Sequence, residues 1–236
     1  MVSLSRSQSV NGLANQELDM LVCIYTCKKH ADLLSKFYAT EFGEYLRGLP
    51  NTLVLEAYAD PEVSESMHDN SKLTLKTNEE YENLSVKTYL MIEYCISNFQ
   101  FKHLLKVDVT NVLTRSNLES ESSHAEISPR QLVDLVGGRL SFGDYEGIKL
   151  LSNAGRSGAE KWARKKGGAI DYQRIFGDRN MSSYYTGKCY ALSYRFAQYI
   201  AQHGAGMAQE HARYLMGSED VMIGRLIEKF KKDQVK

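Results

Sequence analysis

Proline is scarce in this 236-residue chain, with three residues, and tryptophan occurs once. So little proline leaves no room for a proline-rich linker or a collagen-like repeat. With 43% hydrophobic and 25% charged residues, the composition is that of a folded globular protein. No sign of charge dominates, because Lys plus Arg and Asp plus Glu each total 29. The chain as a whole therefore has no electrostatic draw toward nucleic acid or a membrane surface, and nucleic acid is not an expected partner. No run approaches the roughly 20 apolar residues that span a bilayer. The start, with Ser3, Ser5, Ser7 and Ser9, lacks the apolar segment of a signal peptide, so a cytoplasmic protein without a transmembrane segment is expected. Cys23, Cys27, Cys95 and Cys189 lack the paired spacing of a zinc site and read as reduced thiols. No P-loop is present, which argues against a kinase or nucleotidyltransferase.

What is present alternates between two periods. Residues 1–17 are polar and predict a loose tail, and the length suits one domain over 18–236. Leu21 to Thr26 is a short apolar run of the kind buried on both faces of a sheet. Leu34, Phe37, Tyr38, Phe42 and Tyr45 then recur at helical steps, predicting one helix over 31–46. Thr52 to Ala59 predicts a second strand, 61–78 an irregular stretch, 84–99 a helix and Leu104 to Val109 a third strand. Glycines punctuate 110–179, which predicts loops and short strands. A strand over 184–192, a helix over 193–203 and a final helix over 219–230 follow. Alternating strands and helices imply an α/β fold: a Rossmann-like, mixed but mainly parallel sheet flanked by helices, with ligands at the carboxyl ends of its strands.

Three segments carry chemistry in a specific order. Tyr81-Glu-Asn83-Leu84-Ser-Val-Lys87-Thr88 precedes Leu105-Lys106-Val107-Asp108; Tyr185-Thr-Gly187-Lys-Cys-Tyr190-Ala-Leu192-Ser193 comes later; Glu219-Asp220-Val221 opens the last helix. This order resembles the inverting β1,3-glycosyltransferases, the family of galactosyl-, N-acetylglucosaminyl- and Fringe-type enzymes. Its patterns are Y-x-N-L-T-x-K-T, K-x-D-D-D, G-x-x-Y-x-L-S and E-D-V. The resemblance implies a glycosyltransferase A-type fold, a UDP-sugar donor, a glycan or other hydroxyl acceptor, and inversion at the transferred sugar. It implies Asp220 as catalytic base, with Glu219 beside it as an acceptor-orienting or structural residue. Asn83 and Lys87 would lie near the nucleotide, and Tyr185 and Gly187 would form a sugar wall.

Elementary chemistry supports part of this. Sugar transfer from a nucleotide diphosphate needs a base for the acceptor hydroxyl and positive charge for the departing diphosphate. Asp220 suits the first need, although a pair of carboxylates after Ser218 would equally complement a helix dipole. For the second need, the family uses manganese or magnesium on the acids of K-x-D-D-D. Here the run reads Asp108-Val109-Thr110, so Asp108 and Thr110 remain as donor-site candidates and the missing carboxylates count against a metal at Asp108. The basic group Lys161, Arg164, Lys165 and Lys166 is the alternative source of charge, with Lys165 and Lys166 as phosphate contacts. Thr26 and Lys28, just beyond the first strand, are candidates for nucleotide contact. Trp162 offers a face for a sugar or base. A relative that keeps the fold and nucleotide or glycan binding without turnover fits the missing acids as well.

Overall fold

The computed structural model describes residues 17–109, 143–149 and 185–235, with short pieces at 133–134, 164, 170–171 and 173–174. Its frame is a sheet of β1 (Leu18–Tyr25), β2 (Thr52–Ala59), β3 (Met67–Asp69), β4 (Lys72–Leu75), β5 (Phe101–Asp108), β6 (Tyr145–Lys149) and β7 (Tyr185–Ser193). The order is β3-β4-β2-β1-β5-β7-β6. β4, β2, β1 and β5 run parallel, and β3, β7 and β6 are added antiparallel at the two sides. The mixed α/β sheet flanked by helices is thus the one the sequence implied.

The period-2 alternation of strand side chains divides the core into two layers. Met20, Val22, Ile24, Leu105 and Val107 pack under α1 (Ala31–Tyr38) and α2 (Glu41–Gly48), through Leu34, Phe37 and Leu46. Leu21, Cys23, Tyr25, Leu104, Tyr190 and Leu192 face the other way. There they meet α3 (Leu84–Asn98), α4 (Tyr194–His203), α5 (Ala205–Tyr214) and α6 (Glu219–Gln234).

Three local expectations change. The helix expected over 31–46 is two helices, because Thr40 accepts from Gly43 N–H at 3.1 Å and donates to the Phe37 carbonyl at 2.6 Å. A capping side chain overrides a continuous apolar stripe. The irregular stretch at 61–78 contains the β3–β4 hairpin, turned at Asn70 and Ser71 with Asn70 in the left-handed region at φ 52°. Helix α5 was not expected at all. It follows α4 after Gly204, where a Cβ would lie 2.6 Å from the Ile200 carbonyl oxygen.

Candidate active site

The carboxyl ends of β1 and β5, the first turn of α3, the start of α6 and strand β7 converge on one buried polar group. Its centre is Lys106, fully buried in the middle of a sheet. β5 registers it between Cys23 of β1 and Tyr190 of β7. Its ammonium donates to Glu219 Oε1 at 2.7 Å and to the Gly187 carbonyl, and lies 4.0 Å from Asp108 Oδ2. Burial works against that charge, but Glu219, Asp108 and Asp220 outweigh it and hold the lysine above its usual pKa. The start of α6 and the end of β5 therefore meet across one cation.

Tyr25 is the floor of this group. Lys87 Nζ lies 4.4 Å and Lys106 Nζ 4.5 Å from its ring centroid. Its hydroxyl donates to the Leu84 carbonyl at 3.0 Å and accepts from Thr88 at 3.2 Å, which fixes the start of α3 against β1. Lys87 itself is buried, and its ammonium donates to the Thr26 carbonyl at 2.6 Å. Burial lowers its pKa to about 8, with Glu79 opposing.

Asp220 sits half-buried in the first turn of α6. Val221 N–H donates to its Oδ1 at 2.8 Å, and the backbone at Gly187 pulls its pKa in the same downward sense. Burial, then the neighbouring charge of Glu219, pushes its pKa up to about 7, against the pull of those backbone groups and Lys106. A carboxylate with that poise changes protonation near neutrality, which is the property a general base needs. Gly187 makes the packing possible: a Cβ there would lie 3.0 Å from Glu219 Cδ and closer still to its Oε1. Gly187 was expected in a sugar wall; the side a Cβ would occupy faces Glu219.

Beside this group lies a cavity of about 580 Å³ lined by Cys27, Lys29, Glu79, Glu80, Tyr81 and Glu82. Tyr81 belongs to both. It lines the cavity, and burial together with the charges of Glu219, Asp220 and Asp108 keeps its phenol protonated far above neutrality. Thr26, buried at the end of β1, has a hydroxyl with no hydrogen-bond partner among the described residues.

Not every candidate converges here. Lys28 is exposed, and its ammonium pairs with Asp60 at 2.7 Å, while its N–H donates to Glu79. Asn83 precedes α3 as its N-cap position but makes no side-chain capping bond, and Lys87 points inward. Both were expected near the nucleotide; the ammonium of Lys87 is turned to Thr26 and the Tyr25 ring. Tyr185 begins β7, registered with Lys149, and nothing is described of its side chain. Thr110, Trp162, Lys161, Lys165 and Lys166 lie outside the described residues; Arg164 is exposed.

Among the described residues no three His, Cys, Asp or Glu side chains converge on a cation position, and Asp108 faces an ammonium. Hard divalent ions prefer several converging oxygens, which Asp108 alone does not supply. Sequence reasoning did not single out Tyr25, Glu79 or Lys106 as site residues. A lysine inside the apolar run Leu104 to Val109 was the signal available for Lys106.

A buried polar group at the carboxyl edge of a mixed α/β sheet is where such folds place ligands, and the sequence comparison supplies the class. The chain belongs to the galactosyltransferase family, whose model matches residues 63–236, from before β3 through Asp220 and the end of α6. Among solved structures, the apo form of mouse xyloside xylosyltransferase 1 is similar at 8% identity and a TM-score of 0.38. The likeness covers 90% of this chain and 82% of that one. No curated protein sequence matches. Among the described residues no helix is long and apolar enough to cross a membrane.

Proposed function

We propose that this protein transfers a hexose from a UDP-sugar to a hydroxyl of a glycan or other acceptor, with inversion and a β1,3-like linkage, in a glycosyltransferase A-type frame. Asp220 takes the proton of the acceptor hydroxyl as that oxygen forms its bond to the anomeric carbon. The bond from that carbon to the diphosphate oxygen breaks on the opposite side, and UDP leaves with the electron pair. The observation that carries this reading is Asp220 itself: half-buried, held by the Val221 N–H, and poised near pH 7 beside Glu219.

Lys106 fixes Glu219 and Asp108 on either side of one charge, which keeps the acids apart without direct repulsion. The nucleotide is assigned to the cavity between Cys27 and Tyr81, where the carboxylates of Glu80 and Glu82 suit ribose hydroxyls and the free hydroxyl of Thr26 suits a further hydrogen bond. Positive charge for the departing diphosphate is assigned, on sequence grounds, to Lys165 and Lys166.

Calorimetry with UDP and UDP-galactose, with and without manganese, followed by assay of UDP release, tests this reading. Binding without metal and slow hydrolysis that is lost in Asp220→Asn is the expected result. Binding with no turnover under any condition would make the chain a non-catalytic relative, and absence of binding would remove the donor assignment.

A further inference from the structure

We propose that His211 is a positioning residue for Asp220: its ring withdraws Ser218 from capping α6 and so leaves the helix-terminal N–H of Val221 to the base. The inference rests on the reading of Asp220 given above.

His211 is fully buried on α5. Its Nε2 lies 2.9 Å from Arg225 Nη1, and a guanidinium only donates, so Nε2 accepts and the proton sits on Nδ1. That Nδ1–H faces the Ser218 carbonyl at 3.1 Å and Ser218 Oγ at 3.2 Å. Glu210 accepts from the same Arg225 nitrogen at 2.8 Å and holds it in place. The backbone of His211 does a second job: its carbonyl accepts from Leu215 N–H at 2.9 Å and Gly217 N–H at 3.0 Å. One residue thus grips the 215–218 turn through both its main chain and its ring.

That turn needs gripping. Met216 and Gly217 both occupy the left-handed region, at φ 49° and 64°, which for Met216 costs on the order of 1–2 kcal/mol. A Cβ on Gly217 would lie 2.6 Å from the Tyr81 carbonyl, so the turn is pressed against the segment that borders the cavity. Ser218 occupies the N-cap position of α6, yet its side chain caps nothing there. A serine in that place ordinarily accepts from the first-turn N–H groups. With Oγ engaged by His211, Val221 N–H goes to Asp220 instead. Burial and the charge of Arg225 lower the imidazole pKa to about 3, so the neutral ring keeps this arrangement through the working range.

Two measurements test it. Imidazole ¹⁵N NMR of the wild-type protein at pH 7 should show His211 protonated on Nδ1 alone; the Nε2–H form or an imidazolium overturns the proposal. Kinetics with UDP-galactose, water as acceptor and UDP release as readout, compare variants. His211→Asn keeps a donor near the Nδ1 position and should stay within about threefold of wild type. His211→Gln keeps an acceptor for Arg225 but loses the donor to Ser218, and should lower kcat about tenfold with KM changed less than twofold. If Asp220→Asn is inactive and His211→Gln keeps wild-type kcat, the positioning role fails alone. If Asp220→Asn remains active, the base reading fails and the positioning role with it. Should His211→Gln not fold, Arg225→Met replaces it: a fall in kcat of about threefold with unchanged KM is expected, because Nε2 is released to carry the proton. An unchanged kcat overturns the idea.

Discussion

The two faces of the central sheet are built from the same strands and do different things. On the α1–α2 side, Val22, Ile24, Leu105 and Val107 are wholly buried and wholly apolar. One residue along, on the other side, the same strands present Tyr25, Lys106 and the end residue Asp108, against Tyr190 and Glu219. A fold of this kind needs apolar layers on both faces and nothing more. Buried ion pairs add little or nothing to stability compared with apolar residues of the same size. The polar face is therefore where the sequence departs from what folding alone asks, and such departures mark functional sites.

That contrast can be broken by substitution. Asp220→Asn should lower UDP-galactose turnover by about 10²–10⁴-fold while leaving the fold intact by circular dichroism. Retained turnover would leave the polar face without its proposed chemistry. Lys106→Met leaves Glu219 and Asp108 without their shared cation, and should cost about 3–5 kcal/mol in urea denaturation together with activity. Leu105→Ala, the adjacent residue on the opposite face, should cost about 2–5 kcal/mol and leave kcat per folded molecule unchanged. Equal kinetic losses in the two variants would erase the distinction between the faces. Gly187→Ala should force Glu219 aside and lower kcat about tenfold, since its Cβ has no room beside that carboxylate. The smallest effect is Thr40→Ala, which removes the cap between α1 and α2 and should cost about 1 kcal/mol without touching activity.

The same contrast governs what could be read from the sequence. β1 and β5 were legible because both-face burial writes itself as apolar runs, and β2 because buried and less buried residues alternate along it. Asp108, Gly187, Glu219 and Asp220 were legible through motif order, and the structure gathers them around Lys106. Thr40 and Asn70 act through local hydrogen bonding and a left-handed backbone, which periodicity does not register. The buried settings of Lys87 and His211 were illegible for a different reason. Whether a lysine faces solvent or a carbonyl, and whether a histidine is buried against an arginine, depends on elements far apart in the chain. The assignments to Thr110, Trp162, Lys165 and Lys166 still rest on sequence alone.

Protonation adds a consequence for stability. Folded Asp220 keeps its proton to about pH 7, whereas an unfolded aspartate releases it near 3.8. Between those values the folded state binds the extra proton, so this group's contribution to stability falls as pH rises through that window. Asp220→Asn removes that dependence and should be more stable than wild type at pH 7.

The dependence of kcat/KM on pH, measured with UDP-galactose between pH 5 and 8, tests the base assignment most directly. Activity should rise through an apparent pKa of about 7 as Asp220 loses its proton, and that limb should vanish together with turnover in Asp220→Asn. A flat profile across this range, or the same limb surviving in Asp220→Asn, would contradict it.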